Sequence, residues 1–250
     1  MQVSIAHSMA SALGALAGAA SAASLGYTSK ARSFVVKVMC GRYVLKTSTP
    51  ELARILGADD ETVSFEPRYN IAPTAQVPIA VHSETGRRLI SARWGLVPFW
   101  SKDGKSGYNM INARAESLAT KPSFRQAYQR KRCIIPADGY YEWQRRADTK
   151  QPFFICARDA TPLTFAGLWE RWQPPEAGTP VISCTIVTVR ANTDVEAIHE
   201  RMPVLLSAAH YGAWLTGTKA ETDALLQPAP GAQLVAGAVS TFVNNARNQG

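Results

Sequence analysis

The chain has 250 residues and a mass of 27.1 kDa, enough for one large domain or two small ones. Apolar residues make up 46% and charged residues 18%, so a sizeable core can be buried and wholesale disorder is excluded. The net charge of +8, with a pI near 9.5, fits either a basic protein without a polyanionic partner or one whose Lys and Arg neutralise nucleic-acid phosphates.

The first 39 residues carry Lys30, Arg32 and Lys37 but no Asp or Glu, and residues 8–26 are almost wholly Ala, Ser, Gly and Leu. That stretch has the composition of a signal peptide, yet no Lys or Arg precedes its apolar part. It reads as a transit-like leader, a disordered tail, or translated upstream sequence ahead of a true start at Met39. The third reading is preferred, with residues 1–39 an extension and 40–250 the working domain. From there Ser48-Thr49-Pro50-Glu51 opens a short helix with a hydroxyl cap and Pro in the first turn, and Gly57 closes it. Residues 77–82 and 88–94 alternate around Ser83-Glu84-Thr85-Gly86 as a β-hairpin. Pro122-Ser123 starts a helix to about Arg130. Strands are expected at 132–135, 153–157, 163–169, 181–189 and 234–239, with a helix from Ser207 carrying Tyr211, Trp214 and Leu215 up to Gly217. Many strands, few short helices and no βαβ rhythm indicate an α+β, β-rich single domain built on a curved antiparallel sheet or open barrel.

Four Cys at irregular positions (Cys40, Cys133, Cys156, Cys184) are too sparse for a disulfide scaffold. With no C-x-x-C pair and four scattered His (His7, His82, His199, His210), no metal site is expected. No apolar run matches the ~18 residues of a membrane helix. Phosphate-binding glycine loops and the serine nucleophile elbow are absent too, so no cofactor is expected.

Several segments are unusually polar and aromatic for their apolar surroundings. They are Met39-Cys40-Gly41-Arg42-Tyr43, Arg68-Tyr69-Asn70-Ile71-Ala72-Pro73, Trp94-Gly95-Leu96-Val97-Pro98, Ile111-Asn112-Ala113-Arg114-Ala115-Glu116, Pro136-Ala137-Asp138-Gly139-Tyr140-Tyr141-Glu142-Trp143, Phe165-Ala166-Gly167-Leu168-Trp169, Ile198-His199-Glu200-Arg201-Met202-Pro203 and Val243-Asn244-Asn245. In order and spacing they resemble the SRAP family of abasic-site processing proteins, from residue 39 to about 250. The resemblance implies a β-rich domain with a positively charged channel for single-stranded DNA. It also implies a covalent reaction of an N-terminal Cys with an abasic site, in the DNA damage (SOS) response of the cytoplasm and its nucleoid.

The chemistry of that lesion explains the residue types. A ring-opened abasic sugar presents an aldehyde, which an amine converts to an imine and a neighbouring thiol traps as a five-membered thiazolidine. Only an N-terminal Cys carries a free α-amine and a thiol on adjacent carbons. The amine titrates near ~7.7–8.0, so part of it is nucleophilic at pH 7, unlike a Lys near ~10.4. The thiol, near ~8.5, is the second nucleophile, and ring closure is intramolecular, with effective molarities of ~10⁵ M or more. Cys40 is therefore the expected nucleophile, provided it is the first residue of the mature chain, since an amide nitrogen cannot play this part. Removal of Met39 exposes the amine if translation starts there; otherwise a cut between Met39 and Cys40 is needed, and autoproteolytic maturation belongs to the family resemblance.

By family position Glu142 is the catalytic carboxylate; desolvation beside Tyr141 and Trp143 would raise its pKa toward a value useful for proton transfer. By the same resemblance His199 donates to the sugar oxygen, and Asn112 contacts the Cys and the opened sugar. Arg42 and Arg114 are expected on phosphates, the latter sharing a strand face with Asn112. Arg68 and Arg201 are weaker candidates that can equally serve internal ion pairs. Trp94 and Trp143 are expected to stack on bases or wedge the strand; Trp169, Trp172, Trp214, Cys133, Cys156 and Cys184 are assigned to the core. The partner is single-stranded DNA containing abasic sites, with no membrane, no metal and a monomeric chain. Two other readings stand beside this one: a cysteine peptidase using Cys40, His199 and Glu142, and a non-catalytic nucleic-acid-binding module.

Overall fold

The hairpin expected at 77–94 forms one wall of a barrel in the computed structural model, which describes residues 41–59, 63–175 and 178–249. Among the described residues the strands are β1 (Arg42–Leu45), β2 (Ala58–Asp59), β3 (Arg68–Ile71), β4 (Gln76–Ser83), β5 (Gly86–Trp94), β6 (Asn112–Arg114), β7 (Arg132–Ala137), β8 (Gly139–Arg146), β9 (Thr149–Ala157), β10 (Leu163–Trp172), β11 (Val181–Arg190), β12 (Arg201–Pro203) and β13 (Leu234–Ala238). Four short α-helices accompany them: α1 (Thr49–Leu56), α2 (Arg125–Arg130), α3 (Tyr211–Thr216) and α4 (Lys219–Ala224).

The strands make two sheets. One runs β13-β9-β8-β1-β3; the other runs β12-β11-β10-β7-β4-β5-β2. The second sheet closes on itself where Ser183 and Cys184 of β11 pair in parallel with Arg93 and Trp94 of β5. The barrel is thus closed rather than open, and the closing pairs are parallel. A parallel contact between strands far apart in sequence leaves no local turn signal, so the sequence pattern does not announce it. Tyr43 of β1, Tyr140 of β8 and Phe165 of β10 interlock edge to face at 5.9–6.4 Å beneath the five-stranded sheet, geometry favoured by aromatic quadrupoles. All three are fully buried.

Local expectations hold with small changes. Helix α1 ends at Gly57, whose φ of 55° is the left-handed cap that glycine adopts without strain. Ser48 precedes this helix but its side chain makes no capping hydrogen bond. Residues 122–124 form turns before α2, and Ser207 leads through a short 3₁₀ turn into α3. A capping box at Thr218 and Glu221 starts α4. Cys133 and Cys184 lie in the core as expected, but Cys156 is only half-buried, because alternation along β9 turns it to the outer face. There it lines a cavity of about 470 Å³ with Tyr69, Tyr141, Phe154 and Phe242. No helix among the described residues is long and apolar enough to cross a membrane.

Candidate functional site

Cys40 lies outside the described residues, but the strand that leads to it is fixed. In the antiparallel pairing of β1 with β8, Arg42 faces Tyr141 and Tyr43 faces Tyr140. One residue further along the same register, Gly41 comes across from Glu142. Glu142 is not at a strand end. It sits mid-strand on β8, opposite Phe153 of β9, and is 2% exposed. Alternation puts Tyr140, Glu142 and Gln144 on the inner face and Tyr141 and Trp143 on the outer one.

Gln144 then reaches the loop that holds His199: its amide Nε2 donates to the carbonyl of Ala197 at 2.9 Å. His199 is buried, its backbone N–H donates to the Val195 carbonyl, and its Nδ1 lies 3.1 Å from the backbone N–H of Arg201 and 3.3 Å from the Arg201 carbonyl. Asn112 and Arg114 lie on β6, which runs parallel to β11 with Asn112 beside Ile186 and Arg114 beside Thr188. Asn112 is half-buried and Arg114 exposed. The fold therefore gathers Asn112, Arg114 and Arg201 around β11 and links the His199 loop to the Glu142 strand.

Trp94 has a different role from the expected one. It is fully buried and cannot present a face to a base. Its ring packs edge-on against Tyr43 at 5.1 Å, and its Nε1–H donates to the carbonyl of Ile111 at 3.0 Å. Trp94 thus ties the strand leading to Cys40 to the segment carrying Asn112. The reason is its position as the last residue of β5, where the barrel closes and the side chain points inward.

Three expected DNA contacts are engaged inside the protein. Arg42 donates to Oδ1 of Asn70 and to the carbonyl of Val243, at 2.8 and 2.9 Å, and lies over the Trp143 ring. Burial lowers its pKa from the ordinary arginine value. Trp143 is half-buried, and its Nε1–H donates to Oδ1 of Asn244. Asn70, 2% exposed, donates through Nδ2 to the carbonyls of Val243, Asn245 and Asn248. Arg42, Asn70 and Trp143 together anchor the C-terminal tail on the outer face of the sheet. Arg201 donates to both carboxylate oxygens of Glu116, with Nη2···Oε2 at 2.8 Å, and to the Thr188 carbonyl at 2.6 Å. It is the internal ion pair that its sequence position left open. Arg68 pairs with Leu45, at the end of β1 remote from Cys40. Five residues of strand, roughly 16 Å, separate that pair from the reactive position, so the fold does not bring Arg68 to the site.

The exposed aromatics lie elsewhere. Phe99, Trp100 and Tyr108 are exposed on the segment between β5 and β6, with Trp100 at 52%. Arg93 lies over the Tyr108 ring at 5.4 Å. This segment is pinned at its base by two glycines in direct backbone contact: a Cβ on Gly95, whose φ is +122°, would lie 2.5 Å from the Gly107 carbonyl oxygen. The sequence signal was present in Pro98-Phe99-Trp100-Ser101, an aromatic pair between prolyl and polar residues that fits no strand or helix period.

The SRAP family model, described as SOS response associated peptidase, matches residues 39–246. The chain is 41% identical over 216 residues to the abasic site processing protein YoqW of Bacillus subtilis, covering 84% of this chain and 96% of that one. It is 32% identical to the abasic site processing protein YedK of Escherichia coli, over 85% of this chain and 97% of that one. With the abasic site processing protein HMCES of Gallus gallus it shares 31% identity over 84% of this chain and 75% of the other. A crystal structure of a protein from Bacteroides thetaiotaomicron superposes with a TM-score of 0.76 at 26% identity, covering 82% of this chain and 95% of that one.

Proposed function

The chain belongs to the SRAP family of abasic site processing proteins, and from that premise we propose that it captures the aldehyde of an abasic site in single-stranded DNA through Cys40, once Cys40 is the first residue of the mature chain. The observation that carries this reading is the β1–β8 register, which runs the segment leading to Cys40 alongside a carboxylate that is 2% exposed. A buried carboxylate beside a primary amine is suited to moving protons between that amine, the sugar and the leaving water.

The reaction balances without a cofactor. The α-amine of Cys40 adds to the C1′ aldehyde, and loss of one water gives the imine. The thiol then adds to the imine carbon: a C–S bond forms, and the sulfur proton passes to nitrogen, closing the thiazolidine. Glu142 shuttles protons in ring opening and imine formation. His199 donates to the sugar oxygen as the ring opens, and Asn112 holds the opened sugar. The imine also acidifies the C2′ proton, which opens a route to a weak β-elimination (lyase) side reaction. Arg114 contacts a flanking phosphate, and Phe99 and Trp100 supply the base-stacking surface first assigned to Trp94. The setting is DNA damage in the cytoplasm, at the nucleoid.

The peptidase reading asks His199 to act as a base at Nε2 while Nδ1–H points to an orienting acceptor. A backbone carbonyl, that of Arg201, lies 3.3 Å from Nδ1, but the shorter contact on that nitrogen is the Arg201 N–H, which always carries its proton, favours the opposite tautomer and weighs against that wiring. The test uses protein whose translation begins at Met39, beside the 250-residue chain, each mixed with a single-stranded oligonucleotide bearing one abasic site and run on a denaturing gel. A retarded band from the shorter protein, lost in Cys40→Ala, is expected. Cleavage of protein without a DNA adduct would support the peptidase, and salt-sensitive binding without an adduct the binding module. Glu142→Gln is expected to slow adduct formation roughly 100-fold while changing affinity little; equal losses in both would remove its proton-transfer role.

A further inference from the structure

Trp172, the last residue of β10, is buried, yet it stands outside the contiguous apolar core of the described residues. It packs instead on the segment between β5 and β6. Its Nε1–H donates to the Ser101 carbonyl at 2.7 Å. Gly104 comes so close that a Cβ there would lie 2.8 Å from the six-membered ring of the indole. The φ of +66° at Gly104 is a left-handed value that glycine takes without strain. Phe99 and Trp100, both exposed, directly precede Ser101 in the chain. The segment is held at its base as well. The Gly95 N–H donates to the Cys184 carbonyl at 2.8 Å, and the Val97 N–H donates to Oγ of the fully buried Ser183 at 2.9 Å. Both of those acceptors lie on β11, with which Trp172 itself is paired through Val181. One strip of sheet therefore supports the segment from residue 95 to residue 104.

An aromatic ring on a surface segment stacks on a base only in the orientation its backbone gives it. A segment free to wander loses that freedom when it binds, and the lost entropy weakens association. Here the backbone next to Trp100 is fixed before any ligand arrives. We propose that Trp172 is a positioning residue for DNA binding: by clamping Ser101 and Gly104 it holds Phe99 and Trp100 exposed and ready to stack. This rests on the reading that Phe99 and Trp100 supply the base-stacking surface. The Trp172 ring is covered by the segment it grips, so it acts through Trp100 and not on a base. Its burial serves presentation of the neighbouring rings, where a tryptophan of the barrel core would serve packing alone.

The test is a double-mutant comparison, because a purely structural tryptophan would not depend on which side chain stands at position 100. Binding is measured by fluorescence anisotropy with the full 250-residue chain and an undamaged, labelled oligothymidylate, so that no adduct forms. Trp172→Phe keeps a ring against Gly104 but loses the hydrogen bond to Ser101, and is expected to bind about threefold more weakly. Gly104→Ala drives a Cβ into the indole and is expected to bind about fivefold more weakly. In a background with Phe99→Ala and Trp100→Ala, each of these substitutions is expected to change affinity by less than about 1.5-fold. Variants that melt like the wild type and bind as tightly would overturn the clamp. So would losses that persist undiminished in the background lacking both rings, which mark a general disturbance of the fold. If Phe99→Ala and Trp100→Ala together leave the affinity of the parent chain unchanged, the stacking reading itself fails and takes the clamp with it.

Discussion

The backbone N–H of Arg201 donates to Nδ1 of His199 across 3.1 Å. The Arg201 carbonyl also lies 3.3 Å from this nitrogen, but the shorter contact comes from an N–H that always carries its proton, which favours a neutral ring protonated on Nε2 and donating there. Nitrogen-15 spectra of histidine-labelled protein are expected to show an unprotonated Nδ1 for His199 at neutral pH. Glutamine places an amide N–H near the Nε2 position, so His199→Gln should retain adduct formation to within about tenfold, while His199→Ala loses roughly 100-fold or more. Equal inactivity of the two variants would show that a base, not a donor, is required.

Trp94 and Trp100 are expected to separate packing from binding. Trp94→Phe removes one of two donors to the Ile111 carbonyl, which keeps the Ile186 N–H, at about 0.5–1.5 kcal/mol of stability; its affinity for undamaged single-stranded DNA should not change in samples verified as folded. Trp100→Ala should leave the melting temperature within about a degree or two, since the ring is 52% exposed. It should weaken binding by about 1–3 kcal/mol. Unfolding titrations and anisotropy on both variants decide this, and the reverse pattern would return the stacking role to Trp94.

Asn70 shares its two amide protons among three tail carbonyls and accepts from Arg42 with its oxygen. Asn70→Ala strands buried acceptors and should lower stability by about 2–3 kcal/mol. Because the loss is local to residues 243–248, limited proteolysis should cut the tail before the barrel. A variant whose tail is cut no faster than the wild type would show that Arg42 and Trp143 suffice.

Tyr128 supplies a pH signature. Burial, reinforced by its hydrogen bond to Asp223, pushes its phenol up to about 12. Between roughly pH 10 and 12 the unfolded chain gives up this proton while the folded chain keeps it, so stability is full below about pH 10 and falls as pH rises. Urea midpoints at about pH 9 and 11 should diverge for the wild type, and less so for Tyr128→Phe. An identical decline in both would assign the alkaline loss to other groups.

The site was only partly legible in the sequence, and particular residues show why. No strand is read after Cys40, because Tyr43, Val44 and Leu45 are a short apolar run without alternation, all three buried, and the partner β8 lies nearly a hundred residues away, where no local pattern names it. Glu142 was recognised by its motif, yet its inward direction depends on which face of β8 meets the barrel. Glu116 carried no signal beyond its family block, since its meaning comes from Arg201, 85 residues later.

The sequence by itself determined the elements whose cause is local: the hairpin around Glu84-Thr85, the helix closed by Gly57, and the amine–thiol chemistry open to Cys40 as a terminal residue. Propensity, turn chemistry and periodicity act over a few residues, so they are written where they operate. Only the tertiary structure decided that Trp94 is a buried strut, that Arg42 grips a tail 201 residues away, and that Arg201 is filled by a carboxylate. Each of those outcomes depends on which polar or aromatic groups are desolvated together when the barrel closes, and that juxtaposition exists only in the folded chain.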